Sequence, residues 1–195
     1  MSDFRRRIPR SRKEVCRRVF RSRLLVFCAS KKTEKQYLQE LKSETKNMTV
    51  SIKVVAEPGD PLSVVRAARK YWKANVDDFD ACWVVTDVDD FDLTAARQEA
   101  RQAGIGLAVS DPCFEYWLLL HFRSHDSHLS SYKSVERLLA KHVPGYDKSD
   151  LDFSPFKGGV ADAVERARKR WDECEGLADR NPSTRMHEIV SEMLA

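Results

Sequence analysis

The sequence predicts an α/β protein built on a mostly parallel four-stranded sheet flanked by helices. Three observations carry this. Short apolar runs recur at residues 24–28, 50–55, 81–86 and 105–109. Segments with helical spacing lie between them, so strands and helices alternate. Most of the runs are continuous rather than alternating, as in strands covered on both faces.

Taken in order, Leu24-Leu25-Val26-Phe27-Cys28 is the first strand. A helix is expected from Thr33 to about Thr45, with Tyr37, Leu38 and Leu41 on one side. Residues 50–55 alternate, which marks a second strand with one wetter face. The turn Glu57-Pro58-Gly59-Asp60-Pro61 follows, and Pro61 suits a helix's first turn. Leu62, Val65, Ala68 and Trp72 then recur at helical spacing. Residues 81–86 form the third strand, a helix over 93–103 is closed by Gly104, and residues 105–109 form the fourth strand.

From Pro112 the chain turns helical. Residues 114–122 are apolar nearly all round and read as a buried helix. Further helices are expected over 134–141 and 159–178, with 143–158 as the longest loop. Asn181-Pro182-Ser183-Thr184 opens a last helix to Met193, capped by Ser183 or Thr184. The organisation expected is a basic arm (1–22), an α/β core (23–125) and a helical C-terminal extension packed on it (126–195).

Composition bounds the function. The 195 residues are 42% hydrophobic and 33% charged, enough for one sizeable core. No apolar stretch approaches the ~20 residues needed to span a bilayer. The basic start lacks the apolar centre of a secretory signal, and a transit peptide is disfavoured. The five cysteines, Cys16, Cys28, Cys82, Cys113 and Cys174, are scattered without a CxxC pair. That usage fits a reducing cytoplasm and buried thiols, and argues against structural zinc.

The net charge of +4 hides an asymmetry. Residues 1–23 hold ten Lys/Arg and two acids, and the remainder holds 24 basic and 28 acidic side chains. The excess lies in the arm, at Arg5, Arg6, Arg7, Arg10, Arg12, Lys13, Arg17 and Arg18 and their neighbours. Such an arm neutralises phosphates or pairs with an acidic protein face, and the competing reading is a solvated tail.

The strongest chemical feature is Thr86-Asp87-Val88-Asp89-Asp90-Phe91-Asp92. Four acids crowd the C-terminal end of an apolar strand, the binding edge of an open parallel sheet. In extended chain Asp87 and Asp89 point the same way. Carboxylates so close repel unless a cation sits between them. Hard oxygen donors at this density suit Mg²⁺ or Mn²⁺, and Mg²⁺ joins carboxylates to a phosphate. Chemistry on phosphate esters follows. The alternative is an acidic loop in which Asp90 or Asp92 caps the next helix.

A second feature, Ser110-Asp111-Pro112-Cys113-Phe114-Glu115, ends the fourth strand. Asp111 is placed to cap a helix begun by Pro112. Glu115 lies one turn inside a greasy helix, where a carboxylate is expensive unless paired or bound to metal. It is balanced between a ligand or catalytic role and that of a helix-start acid. His121, six residues on, reads as a satisfied core histidine. His121, His125 and His128 have a spacing compatible with zinc, but a polar loop is the favoured reading. No G-x-S-x-G and no glycine-rich phosphate loop is present.

These pieces in order resemble the RloB family, whose core is similar to the Toprim fold of topoisomerases, primases and OLD-type nucleases. The matching residues are the basic arm, Lys32-Thr33-Glu34-x-x-Tyr37, Gly59-Asp60-Pro61-Leu62-Ser63 and Asp87-Val88-Asp89-Asp90-Phe91. They continue with Asp111-Pro112-Cys113-Phe114-Glu115-Tyr116-Trp117, Pro144-Gly145-Tyr146 and Asn181-Pro182-Ser183-Thr184. The resemblance implies a Mg²⁺ or Mn²⁺ site made by a glutamate at the tip of strand one and the Asp87/Asp89 pair. Asp90 and Glu115 would assist, and Lys32 would stabilise the scissile phosphate. The arm and Lys31 would track nucleic acid, either tRNA or DNA. The implied role is a nuclease effector of anti-phage defence working beside an AAA/ABC-type ATPase. Homo-oligomerisation is left open.

The departure falls on Cys28-Ala29-Ser30, where the family has Cys-Glu-Gly. Ala29 stands where the glutamate is expected. The chain is then naturally degenerate, or Glu34 or Glu115 supplies the ligand, or Ala29 is an introduced change. Two functions compete: a Mg²⁺-dependent nuclease, disabled or not at Ala29, and an inactive nucleic-acid- or partner-binding subunit. A phosphoaspartate receiver and an Asp-x-Asp phosphatase are disfavoured, because both want their acids after the first strand.

Overall fold

The structure is a computed structural model that describes residues 22–30, 32–45, 50–88, 92–175 and 179–195. The first half alternates as expected: β1 (Ser22–Cys28), α1 (Thr33–Thr45), β2 (Val50–Ala56), α2 (Pro61–Ala74), β3 (Ala81–Asp87), α3 (Thr94–Ala103) and β4 (Gly106–Asp111). The second half carries α4 (Glu115–Leu119), α5 (Tyr132–Leu139), a 3-10 turn (Lys157–Gly159), α6 (Val160–Glu173), β5 (Ser183–Thr184) and α7 (Met186–Leu194).

The sheet order is β2-β1-β3-β4-β5. The first four strands are parallel, with Cys28 level with Ala56 on one side and Val85 on the other. The architecture is therefore mixed α/β with a Rossmann-like, mostly parallel sheet. Its interior strand β1 buries Leu24 through Cys28 without a break, which explains the uninterrupted apolar run.

Side-chain alternation sorts these strands onto two cores. Leu24, Val26, Cys28, Trp83 and Val85 face α1, α4, α6 and α7. Leu25, Phe27, Cys82 and Val84 face α2 and α3. The helices answer with matching stripes: Tyr37, Leu38 and Leu41 on α1, and Val64, Val65 and Ala68 on α2. Asp60 caps α2 by accepting from the Leu62 and Ser63 N–H groups at 3.1 and 3.0 Å. Gly104 closes α3 with φ +66°, a conformation that favours glycine.

Four expectations are corrected. The sheet has five strands, because Ser183–Thr184 pairs antiparallel with Ser110 and Asp111. Those two residues were expected to open the last helix. Thr184 keeps part of that role, since its Oγ1 accepts from the Met186 N–H at 3.3 Å. The helix expected over 114–122 is only five residues long, although Cys113 through His121 are all buried. Asp111 caps no helix: α4 starts at Glu115 with no side-chain cap, and Asp111 Oδ1 accepts from Asn181 Nδ2 at 2.6 Å. Smaller shifts occur at β4, α5 and α6. Among the described residues no helix is long and apolar enough to cross a membrane.

One contact across the sheet is tight enough to test. Gly106 is the register partner of Trp83, and a Cβ at position 106 would lie closer than 3.0 Å to the Trp83 ring. The ring is held from the other end, because its Nε1–H donates to Glu192 Oε2 on α7 at 3.3 Å. Gly106→Ala is expected to cost about 1–3 kcal/mol by overpacking. Urea denaturation measures it, and Trp83→Leu in the same chain should recover part of the loss. An unchanged midpoint in Gly106→Ala would contradict the packing.

Candidate active site

The C-terminal ends of β1, β3 and β4 lie side by side, so Cys28, Asp87 and Asp111 share one edge of the sheet. Parallel strands direct their ends, and the helix starts that follow them, to the same side. Two carboxylates close over this edge from helices. Glu34 in the first turn of α1 is 3% exposed, and Glu115 at the start of α4 is 5% exposed. Burial this deep is costly for an acid in an apolar setting.

Electrostatics tie the acids together through the thiols between them. Burial pushes the Cys113 thiol up, and the charges of Glu115 and Asp87 push it further. Burial raises Cys28 likewise, with Glu34 adding to it. Burial and then Glu115 raise the Tyr146 phenol, which donates to Glu115 Oε1 at 3.1 Å. Burial thus keeps the Cys113 and Cys28 thiols protonated beside these acids.

The loop 143–158 is stitched onto this edge. Thr33 Oγ1 donates to the Lys148 carbonyl at 2.6 Å, and the Leu151 N–H donates to Gln36 Oε1 at 3.2 Å. These bonds hold Tyr146 above Glu115. Tyr132 of α5 closes the same corner: its phenol is raised chiefly by burial, then by its bond to Glu136 and the charge of Glu115. Lys148 Nζ stands 4.8 Å from the Tyr132 ring centre. Lys32 is exposed at the start of α1.

Ala29 sits at the tip of β1, where its N–H donates to the Val85 carbonyl at 3.0 Å. It packs with the Leu25 and Phe27 side of the sheet, against the α2/α3 core. Ser30 follows with its Oγ buried and without a hydrogen-bond partner among the described residues. Past the last register pair, Cys28–Val85, the backbone bends at Ala29 and Ser30.

The other acids and histidines separate by role. Asp92 Oδ1 accepts from the Thr94 N–H at 2.8 Å, which lowers its pKa and commits it to the start of α3. Asp111 is half-buried, and burial raises its pKa against the pull of Asn181. His121 is buried and bonded to Tyr37 and Trp117, a satisfied core histidine. His128 Nδ1 lies 3.9 Å from Asp179 Oδ2, with both side chains exposed. Asp89, Asp90, Lys31 and the basic arm lie outside the described residues. Among the described residues no group of three or more His, Cys, Asp and Glu side chains is placed to hold a metal ion. The oxygen donors present there, Asp87 and Glu115, are of the hard type that suits Mg²⁺ or Mn²⁺, and complete a ligand set only with a further donor.

Tyr132 was not legible as part of the site, and Tyr146 was legible only as part of a motif. Both arrive from more than 15 residues beyond Glu115. A tyrosine in a Pro-Gly turn after a buried acid was the available signal.

The fold and this edge define a Rossmann-like α/β protein with a buried carboxylate cluster at the C-terminal ends of its strands. The family model described as RloB-like protein matches residues 24–193. The chain belongs to the RloB-like family. No curated protein and no solved structure is similar enough to the chain to count as a match.

Proposed function

We propose that the chain is a Toprim-type, Mg²⁺- or Mn²⁺-dependent nuclease that cleaves phosphodiesters in RNA such as tRNA, or in DNA. The observation that carries this reading is the convergence of Asp87 and Glu115 about the Cys113 thiol at the C-terminal edge of the sheet. Its place in the cell follows from the family resemblance: an effector of anti-phage defence, working with an ATPase partner.

Asp87 would hold the cation together with Asp89 and Asp90, with Glu115 assisting. A bound Mg²⁺ polarises a phosphoryl oxygen and lowers the pKa of water. Tyr146 orients Glu115 through its hydrogen bond, and the loop 143–158 restricts water around that carboxylate. Lys32, exposed beside the edge, is placed to meet phosphate charge. Glu34 faces Cys28 from the neighbouring turn, an acid beside the strand-one tip where the family glutamate is expected.

One observation favours a second reading. Ala29 offers no donor and packs into the apolar core, as expected of a binding subunit that has lost catalysis. The two are separated by incubating the chain and an Ala29→Glu variant with tRNA and with DNA, in Mg²⁺ or Mn²⁺, with and without the ATPase partner. Cleavage by either protein that disappears in Asp87→Asn supports the nuclease. No cleavage by either under all these conditions, together with no Mn²⁺ binding, overturns it in favour of the binding subunit.

A further inference from the structure

A cleft of about 800 Å³ runs along the β4 side of the sheet, between α3 and a wall that includes Trp171, Asp179, Arg180 and Arg185. It lies apart from the Asp87–Glu115 corner but opens at the same edge, where Val88 and Asp111 form its end. Its walls carry four arginines: Arg97 and Arg101 from α3, and Arg180 and Arg185 from the opposite side.

The opposite wall is pre-built. Arg185 is gripped by Glu188 through two bonds of 2.7 Å and donates to the Leu107 carbonyl at 3.2 Å. The Arg180 guanidinium lies 4.5 Å, and that of Arg185 5.4 Å, from the centre of the Trp171 ring. Flat cationic and aromatic surfaces are thereby stacked along one side of the cleft. Arg97, Arg101 and Arg180 form no ion pair among the described residues, although Arg66, Arg69, Arg166 and Arg185 all do. Arg97 and Arg101 stand one helical turn apart, and Gln98 and Gln102 extend the same ridge outward.

We propose that this cleft binds a single-stranded segment of nucleic acid, with phosphates on Arg97, Arg101 and Arg180 and a base stacked on the Trp171–arginine pile. Guanidinium groups held in no close ion pair are the donors a phosphate backbone recruits, although Asp92 and Asp111 on the same lining act electrostatically on Arg97. Stacking on aromatic and guanidinium planes requires unpaired bases, which selects a single strand over a duplex. The cleft ends at the carboxylate edge, so the bound strand is delivered to the site argued above. In that sense the inference rests on the nuclease reading and names the form of its substrate. It is independent of the basic arm.

Binding is measured in EDTA, so that cleavage plays no part. The probe is a fluorescein-labelled single-stranded RNA of mixed sequence, followed by anisotropy across a salt series with the full chain. The double variant Arg97→Ala/Arg101→Ala is expected to bind at least tenfold more weakly near 100 mM salt. The slope of log affinity against log salt should fall by about 1.4, about 0.7 for each phosphate lost. Arg180→Ala should weaken binding in the same direction, while Lys70→Ala, which removes an exposed cation of α2 outside the cleft, should bind as the parent does. Photo-crosslinking of a bromouridine-substituted strand should label the peptide containing Trp171.

Undiminished binding in both arginine variants, crosslinks confined to the arm, equal competition by duplex, or no binding by the parent chain would each overturn the proposal. Preference for an acidic protein partner over RNA at this cleft would overturn it too. Cleavage that never appears while groove-dependent binding persists would overturn the nuclease reading alone.

Discussion

Between pH 7 and pH 4 the protein is expected to lose about 3 kcal/mol of stability through one residue, His121. Its ring is buried among Tyr37, Trp117 and Phe156, with ring centres at 5.5, 5.2 and 5.5 Å. The α6 side is packed so closely that a Cβ at Gly159 would lie within 3.0 Å of the His121 carbonyl. The tautomer follows from the partners. Nδ1 faces the Trp117 carbonyl at 3.0 Å, which only accepts, so Nδ1 carries the proton. Nε2 is then the acceptor of the Tyr37 O–H at 2.9 Å. A second proton on Nε2 would reverse that bond, leave the Tyr37 proton without its acceptor and place a charge in the buried core. Burial accordingly holds the His121 pKa down at about 4, with Arg166 lowering it further.

The sign is fixed by where the proton goes. Below pH 6.5 the unfolded imidazole takes it up and the native one does not, so stability falls as the pH drops toward 4. Above 6.5 neither state binds the proton and the contribution is complete. His187, also depressed by burial, acts in the same direction, whereas the raised carboxylates Asp111 and Glu192 oppose it. The measurement is therefore a difference: urea unfolding of the parent and of His121→Gln, which retains an acceptor for Tyr37, at pH 7 and pH 4. The gap between the two proteins should narrow by about 3 kcal/mol. Parallel pH profiles would rule out His121 as the source.

The buried strands and most helices were legible in the sequence because their signals are local. The run 24–28 is apolar without interruption because β1 is the strand covered on both sides. The α1 boundaries, Thr33 and Thr45, coincide with the spacing of Tyr37, Leu38 and Leu41. What escaped is whatever depends on a distant partner. Ser183 and Thr184 carry no strand signal of their own and are a strand only because Ser110 and Asp111 lie opposite. The greasy stretch after Glu115 reads as a long helix, yet it is helical only over Glu115–Leu119, because depth in the core, not helical period, makes it apolar.

The same division runs through the site. Asp87 and Glu115 were legible as carboxylates in apolar surroundings, where polarity needs a reason. Tyr132 and Tyr146 reach Glu115 from α5 and a loop, and nothing local to either marks that meeting. The cleft is a harder case still, since α3 and the segment around Arg180 meet only in the fold. Only the helix over 93–103 was legible there, not that its Arg97 and Arg101 face a cleft. Ala29 shows the limit of aligning a motif by counting: it stands where a glutamate is expected, but it packs on the α2/α3 side of the sheet.

Asp87→Asn is expected to lower cation-dependent cleavage by about a hundredfold or more, the scale of losing one preorganised charge at a reacting phosphate. The substitution keeps the shape of the side chain at the end of β3 and removes only its charge, so the strand pairing that continues through the Val88 N–H to the Ser110 carbonyl at 2.9 Å is untouched. A second readout does not need turnover. Mn²⁺ at 100 times its dissociation constant should stabilise the parent by about 2.7 kcal/mol, and that increment should vanish in Asp87→Asn. Tyr146→Phe distinguishes a ligand from the residue that positions one. It deletes the 3.1 Å bond to Glu115 while leaving every carboxylate in place. It should weaken Mn²⁺ binding by about tenfold, the lower end for loss of an outer-shell partner, and cleavage should recover at saturating cation. If Mn²⁺ stabilises Asp87→Asn as fully as the parent, the cation is held elsewhere and Asp87 is a structural acid of the β3 tip. If Tyr146→Phe matches Asp87→Asn in depth and is not rescued by cation, Glu115 acts on the substrate rather than on the metal.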